Sequence, residues 1–391
     1  MRRTILLLLT AVLAGLIAAR SGQRPPAEAQ AAAAMSWSAA GYNVLEAEPA
    51  APPETAGSAL IAEMNGYFLS RTPTAKHQYT GLLAGRDLIV LLAEDWRPEG
   101  LNAGQAPALH RLWREGVQFA QVYAPEWYQG LEGREFALLS GLTPTNVQDR
   151  SSMALLEEKS RALPFSLAAG LAQAGYVCRA CPAGPGREAA YEALGFSSVR
   201  AGGTPEEQLP QLWDQGPYLL YCVLPEADGE AALESLLQTL EAAGRTNTTA
   251  ICLVTGSAQA LRGGLYLWGR GLEGLSVAAP CSELDVTPTL LDLFGAAYDA
   301  RFLSGRDLLA DGTADGPLPP VSLGGSAYCD WVSDAGSYVC AEDAFFPADS
   351  RFKNAQAQAR YVRQARQQVY DRYVYSRRIL ERDYFRLVLG R

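Results

Sequence analysis

Three apolar runs of this chain are each followed by residues that could bind a metal ion or take part in acid–base chemistry. Glu94 and Asp95 follow the run DLIVLLA, and Glu226 and Asp228 follow YLLYCVLP. The third run, TAICLVTG, is followed by Ser257. Carboxylate oxygens are preferred ligands of hard divalent cations. They also cap helices and occupy solvated loops, so this spacing alone does not define a site.

Histidine is rare in this sequence, and this limits the chemistry. His77 and His110 are the only two histidines in 391 residues. A histidine-rich metal centre is therefore excluded, and any Ser-His-Asp or Cys-His mechanism would have to use one of these two residues. His77 precedes the first apolar run, and His110 lies within a helical pattern. Both are predicted to be surface residues rather than metal ligands.

The composition predicts a large globular protein that does not bind nucleic acid. Hydrophobic residues make up 48% of the chain and charged residues 19%, as in folded domains. The length allows one large domain or two of ordinary size. The net charge of -9 leaves no broad basic surface for nucleic acid.

Short apolar runs alternate with helical patterns, which predicts an α/β fold with a mostly parallel central sheet flanked by helices. Continuous apolar runs are typical of strands covered on both faces. Ligands of open parallel sheets bind beyond the carboxyl ends of the strands, where the residues that follow the three runs would meet. The predicted strands are 87–94, 117–124, YVCRA, YLLYCVLP and TAICLVTG, and the predicted helices cover 108–116, 134–142, 165–175, 187–195, 230–243 and a segment beginning near 287–288.

The N-terminal region predicts export. Arg2 and Arg3 precede an uninterrupted apolar stretch, so residues 1–20 are interpreted as a signal peptide or membrane anchor. An uncleaved anchor is favoured, because the nearest small-residue cleavage sequence lies far from the apolar stretch. Residues 21–58 are rich in Ala and Pro and are predicted to be a linker, followed by an α/β domain over 59–350.

The C-terminal segment, 351–391, is predicted to be helical and carries 11 basic and 3 acidic residues. It could pack on the acidic body, or it could be attracted to anionic lipid or wall polymer. Just before it, Cys329 and Cys340 flank a sequence that suits a β-hairpin and could form a disulfide bond. Cys178 and Cys181 have the spacing of a redox motif but are interpreted as free or structural thiols.

The order of the segments resembles the sulfatase-like part of the alkaline phosphatase superfamily, and most closely the extracellular domain of lipoteichoic acid synthases. The resemblance runs from about Tyr79 to Phe385. It implies one bound Mn²⁺ or Mg²⁺ and a Thr, Ser or modified Cys nucleophile that acts on phosphate or sulfate esters. The segments that carry it are DLIVLLAED, PALHRLWREGVQFAQVYAP, GREFALLSGLTP, LPFSLAAGLAQAGYVCRA, REAAYEALGFSSV, TTAICLVTGSA, SELDVTPTLLDLFG, FLSGRDLL and YSRRILERDYF.

Most residues that the resemblance would assign to catalysis are replaced. Glu94 matches the metal-binding acid after the first strand, and Arg187 matches an arginine that contacts substrate phosphate. Leu131 occupies the nucleophile position, while Ser257 and Ala258 replace an Asp-His ligand pair. Leucine cannot attack phosphorus and alanine offers no ligand. Glu94 would therefore be a residual ligand, and no catalytic residue is predicted.

The leading hypothesis is an extracytoplasmic sulfatase-like domain that has lost catalysis, needs no cofactor, and serves as a binding or scaffolding module in cell-envelope polymer metabolism. It would be membrane-anchored or secreted, at a cell surface of the Gram-positive type. Arg187 would bind an anionic glycerol-phosphate or phospholipid head group.

The alternative hypothesis is an active, divergent glycerol-phosphate transferase, phosphoesterase or sulfatase that uses Mn²⁺ or Mg²⁺. Its metal centre would have to consist of carboxylates that converge on one point. The carboxylates available are Glu94, Asp95, Glu132, Glu226 and Asp228.

Overall fold

The structure is a computed structural model, and it describes residues 41–44, 58–94, 96, 103–126, 130–147, 149–159, 162–224, 229–257, 261–310, 320–324 and 329–389. The predicted signal peptide or anchor, 1–20, lies outside these residues, as does most of the predicted linker. Within the described residues, no helix is both long enough and apolar enough to cross a membrane.

The strands and helices follow the alternation that the apolar runs predict. The strands are β1 (Asp87–Glu94), β2 (Val117–Phe119), β3 (Asn146–Val147), β4 (Arg150–Ser151), β5 (Val177–Cys181), β6 (Ser198–Val199), β7 (Tyr218–Leu224), β8 (Thr249–Ser257), β9 (Arg262–Trp268), β10 (Ser276–Val277), β11 (Val321–Gly324), β12 (Asp330–Ser333), β13 (Gly336–Val339) and β14 (Ala344–Pro347). The helices are α1 (Ser58–Leu69), α2 (Pro107–Glu115), α3 (Leu131–Ser140), α4 (Ser152–Lys159), α5 (Leu167–Gln173), α6 (Glu188–Ala193), α7 (Pro205–Leu212), α8 (Gly229–Ala242), α9 (Val286–Leu293), α10 (Ala355–Arg382) and α11 (Tyr384–Leu389).

The central sheet has eight strands in the order β10-β2-β9-β8-β1-β7-β5-β6. Strand β1 lies parallel to β7 and β8, and β5 lies parallel to β6 and β7. Strand β9 runs antiparallel to both β8 and β2. The predicted α/β fold with a mostly parallel sheet is therefore confirmed, although β2 ends at Phe119 and is much shorter than predicted.

Both faces of the central sheet are buried, which explains why its strands read as continuous apolar runs. In β1, Leu88, Val90 and Leu92 belong to one apolar cluster, while Ile89 and Leu91 belong to the other. Helices α3, α5, α9 and the end of α10 cover the first face, and α2, α7 and α8 cover the second.

Helix α3 brings residues from the predicted nucleophile region to the carboxyl end of the sheet. It begins at Leu131, earlier than the predicted start at Arg134, and it ends at Ser140, two residues before the predicted end at Leu142. Gly141 follows with a φ of 65° and donates its N–H to the carbonyl of Ala137. Glycine adopts this left-handed conformation without the steric cost of a side chain, so it ends the helix cleanly.

The C-terminal region forms a second, smaller layer. The expected hairpin is part of a four-stranded antiparallel sheet, β11-β12-β13-β14. Cys329 and Cys340 are joined by a disulfide bond with a Cα–Cα distance of 5.7 Å. Helix α10 packs Ala365 and Val369 against Trp331 of this sheet, and its second half packs on the main core.

A short part of the predicted linker belongs to the folded body. Asn43 is buried and donates its side-chain N–H to Asp292 Oδ1 at 2.8 Å. Its backbone N–H bonds to the carbonyl of Thr74, and its carbonyl accepts from Ala300, both at 2.9 Å. Residues 41–44, which lie within the predicted linker, thus contact the folded body through the buried side chain and backbone of Asn43.

Replacing Cys329 and Cys340 together by serine is expected to destabilise the small sheet by about 2–3 kcal/mol, because the bond restricts the unfolded chain. Hydrogen exchange should accelerate in β12 and β13 and stay unchanged in β1 and β8. Identical exchange in the two proteins would contradict this expectation.

Candidate functional site

The candidate site lies at the carboxyl ends of β1 and β8, which are neighbours in the sheet. Glu94 is paired in register with Gly256, so Ser257 follows at the same edge. The side chains of Glu94 and Ser257 lie outside the described part of the structure, as do Asp95, Ala258 and residues 225–228. A centre built from carboxylates alone thus stays a prediction.

Leu131 is the first residue of α3, the helix that contacts this edge through Arg134. The residue before it, Gly130, has a φ of 58° and gives the helix no side-chain cap. Leu131 is half-buried and packs against the main apolar cluster. Its side chain has neither a nucleophile nor a proton to exchange.

One turn further along α3, Arg134 is buried at the same edge. Its Nε donates to Glu283 Oε1 at 2.7 Å, and its Nη1 donates to the carbonyl of Gly256 at 2.9 Å. The side chains of Arg134 and Glu283 are each only 1% exposed. Since Gly256 is the register partner of Glu94, this guanidinium lies beside the ends of both central strands.

The buried ion pair of Arg134 and Glu283 makes the carboxyl edge of the sheet less suited to a metal ion. A buried cation raises the cost of bringing a second cation to the same low-dielectric region. The metal-binding residues of the family do not fit here either, since Leu131 offers no donor and an arginine side chain lies beside Gly256. Among the described residues of this edge, Leu131 and Arg134 therefore offer no ligand for the Mn²⁺ or Mg²⁺ that the resemblance implies.

Arg187, the predicted anion-binding residue, has an acidic neighbour. Its Nη2 lies 3.1 Å from Glu132 Oε2, and its side chain is 44% exposed. Burial raises the pKa of Glu157, the charge of Arg187 lowers it, and the charges of Glu132 and Glu188 raise it. Arg187 is thus surrounded by carboxylates, which weakens its attraction for an anion. Glu132 also accepts a hydrogen bond from the hydroxyl of Ser151.

Glu135 is a second buried acid of α3. It accepts hydrogen bonds from Tyr191 at 2.6 Å and from Tyr221 at 2.9 Å. Burial raises the pKa of Glu135, while these two hydrogen bonds oppose that rise. The three side chains join α3 to α6 and β7 beneath the candidate site, so their role is to position the start of α3.

The prediction that His77 is a surface residue is wrong. Its Nε2 lies 2.7 Å from Asp307 Oδ2 and 3.0 Å from Asp292 Oδ2, and its side chain is only 10% exposed. Partial burial alone would lower the pKa of His77, but the hydrogen bonds that its ring donates to Asp292 and Asp307 outweigh burial and raise the pKa to about 10. His110, in contrast, is half-exposed on α2, in agreement with the prediction.

The His77 cluster, consisting of His77, Asp292 and Asp307, is a possible metal site. One ligand atom of each residue lies within 4.8 Å of the others. The remaining oxygens have their own donors, since Asn43 and Thr80 bond to Asp292 and the N–H of Leu309 bonds to Asp307. Such outer hydrogen bonds orient carboxylates towards a common centre.

The His77 cluster is remote from the carboxyl edge. Leu83, just before β1, donates its N–H to the carbonyl of Leu293 at the end of α9. The cluster therefore lies near the amino end of β1, opposite Glu94. The sequence held one signal for it: Asp292 interrupts the otherwise apolar TLLDLFG, and a carboxylate buried there needs a cationic or hydrogen-bonding partner.

The sheet and its covering helices have the fold of solved structures from the sulfatase-like part of the alkaline phosphatase superfamily. Within that class the chain is similar to the lipoteichoic acid synthase LtaP from Listeria monocytogenes. The two have a TM-score of 0.61 and 15% sequence identity over 78% of this chain and 94% of LtaP. The predicted resemblance is thereby confirmed at the level of the fold.

Two further solved structures share the fold. One is a protein of the alkaline phosphatase superfamily from Vibrio parahaemolyticus, with a TM-score of 0.54 and 14% identity over 78% of this chain and 90% of that one. The other is the PsFucS1 sulfatase from Pseudoalteromonas sp., with a TM-score of 0.50 and 12% identity over 75% and 92%. No family model and no curated protein sequence matches this chain.

The His77 cluster makes stability depend on pH. Because the pKa of His77 is raised in the folded protein, its stabilisation is complete below its ordinary pKa of 6.5 and is lost as the pH rises towards 10. His77→Gln should lower the free energy of unfolding by about 3 kcal/mol at pH 7, since two buried carboxylates lose their cation. The difference from wild type should shrink steadily between pH 7 and pH 10.

Urea unfolding across this pH range measures the effect, with His110→Gln as the control. The range stays above the Asp307 pKa, which burial raises to about 6, so that carboxyl is ionised throughout. A difference that does not change with pH would rule out a protonated His77.

Proposed function

We propose that the chain is an extracytoplasmic, catalytically inactive sulfatase-like domain that binds an anionic envelope polymer. The observation that carries the loss of catalysis is the buried pair of Arg134 and Glu283 at the carboxyl edge. Where an active site would need a metal and a nucleophile, this edge has a fixed guanidinium and Leu131. Such a replacement keeps the fold while removing the chemistry.

The binding role is supported by the exposed face of α10. Arg360 and Arg363 are exposed and form no ion pair with any residue that the structure describes. Residues three or four apart share one side of a helix, so Gln367 and the 60% exposed Tyr370 continue the same stripe. No acidic residue occurs between positions 355 and 370.

Two other arginines of α10 are already paired with acids of the body. Arg366 pairs with Asp343 at 3.2 Å, and Arg378 pairs with Glu63 at 2.9 Å. On the stripe of α10 that runs from Arg360 to Tyr370, the exposed cations without an ion pair among the described residues are therefore Arg360 and Arg363. This stripe lacks a large aliphatic residue that could insert into a bilayer, which favours a soluble polymer over a lipid surface.

The protein is expected to show no turnover of a phosphodiester or an aryl sulfate, with or without Mn²⁺. Any Mn²⁺ binding measured by calorimetry should disappear in His77→Gln, because the carboxyl edge holds a cation already. The double variant Arg134→Ser/Glu283→Gln removes the buried charge pair at the carboxyl edge. It is the matched comparison for the measurement of Mn²⁺ binding. Turnover by the wild type that Glu94→Ala abolishes would overturn the loss of catalysis.

Binding of long-chain inorganic polyphosphate is expected to weaken about tenfold or more at low salt in Arg360→Glu/Arg363→Glu, and to fall with rising salt in the wild type. Arg114→Glu/Arg270→Glu makes the same change in net charge elsewhere on the surface and should bind normally. Equal loss in both variants would leave net charge, and not the α10 stripe, as the cause.

A further inference from the structure

Five cysteines of the described chain are free thiols, and their surroundings differ. The Sγ of Cys178 donates to the carbonyl of Ala168 at 3.4 Å, and that of Cys281 donates to the carbonyl of Gln121 at 3.5 Å. Cys252 packs in the main apolar cluster. These three have backbone or apolar neighbours, which is how structural cysteines are usually buried.

Cys181 and Cys222 are arranged differently, because they face one another. Cys181 on β5 is the direct register partner of Cys222 on β7. Residues paired in adjacent parallel strands point to the same face, and both belong to the same apolar cluster, where they are 1% and 0% exposed. The neighbouring thiol of Cys222 lowers the pKa of the Cys181 thiol.

We propose that Cys181 and Cys222 are a dithiol that can be oxidised to a second disulfide bond. Adjacent strands lie about 4.8 Å apart, and disulfides accept Cα–Cα distances of about 4.4–6.8 Å, so the bond can form with small side-chain rotations. The chain already contains one disulfide between Cys329 and Cys340. The free pair in β5 and β7 is therefore a second, oxidisable site of the same protein.

The pKa values and positions of the two thiols indicate which of them reacts first. A hydrogen bond from Cys222 lowers the pKa of the Cys181 thiol, burial opposes it, and the charges of Arg179 and Arg200 lower it further. Burial raises the pKa of Cys222. Cys181 is also the last residue of β5, and the chain becomes exposed from Ala183 onwards. Cys181 is thus the attacking thiol once the end of β5 opens.

The oxidant is an external disulfide, RS–SR, such as that of a small-molecule or protein thiol–disulfide partner. The Cys181 thiolate attacks one sulfur of RS–SR, forms the mixed disulfide and releases RS⁻. The Cys222 thiolate then attacks the Cys181 sulfur, forms the Cys181–Cys222 bond and releases the second RS⁻. The two thiol protons pass to the two RS⁻ ions, and RS–SR takes up two electrons.

The bond would tie β5 to β7 at the carboxyl end of the sheet. The chain leaves Cys181 directly into the exposed loop that carries Arg187 and starts α6. Oxidation would fix the base of this loop next to the candidate site. This consequence is independent of whether the domain is catalytic.

The full chain is treated with oxidised glutathione, unfolded in N-ethylmaleimide, and digested without reduction for mass spectrometry. Alkylatable thiols are expected to fall from the five free cysteines to three, with a linked Cys181–Cys222 peptide pair that dithiothreitol separates. In Cys222→Ala, Cys181 should be recovered as a glutathione mixed disulfide. Cys252→Ala is the matched control and should still form the linked pair.

Recovery of Cys181 and Cys222 as alkylated thiols, while Cys329 and Cys340 remain linked, would overturn the proposal. So would a linkage of either residue to Cys178. Cys181→Ala provides a second test if Cys222→Ala does not fold, since Cys222 should then resist glutathione because of its raised pKa.

Discussion

Strand β1 is buried on both faces and has a parallel neighbour on each side, and this constraint determines where the charged groups of the protein can lie. Its interior positions are all apolar, so the charged residues beside this strand lie at its two ends. Buried charges there require partners, because isolated ions are costly in a low-dielectric interior. At the amino end Asp87 pairs with Arg245 and the His77 cluster pairs internally. At the carboxyl end Arg134 pairs with Glu283.

The apolar runs made most of the fold predictable. Periodicity and length identify β1, β7 and β8, and Gly141 marks the end of α3, because these signals are local. The pairs that define the two ends of the sheet were not predictable in this way. Arg134 and Glu283 are 149 positions apart, and His77 and Asp307 are 230 apart. A local sequence pattern indicates which face of an element a residue lies on, but not which distant residue neutralises its charge.

The two ends of the sheet differ in the buried charged group that each one holds. At the carboxyl end a guanidinium is held inside by Glu283 and the carbonyl of Gly256. Near the amino end, the imidazole of His77 lies between two carboxylates, which raise its pKa to about 10. The tail adds a third pattern, since Arg366 and Arg378 contact acids of the body while Arg360 and Arg363 remain exposed. Some arginines of the basic tail thus hold it against the acidic body, while others give its exposed face a positive charge.

Residues 41–44 give the domain a defined point of mechanical attachment. Tyr42 forms a bridge with Ala75, and Asn43 bonds to Thr74, Ala300 and Asp292. A force that pulls on the chain ahead of Gly41 would act on these hydrogen bonds, and through Asp292 it would reach the His77 cluster.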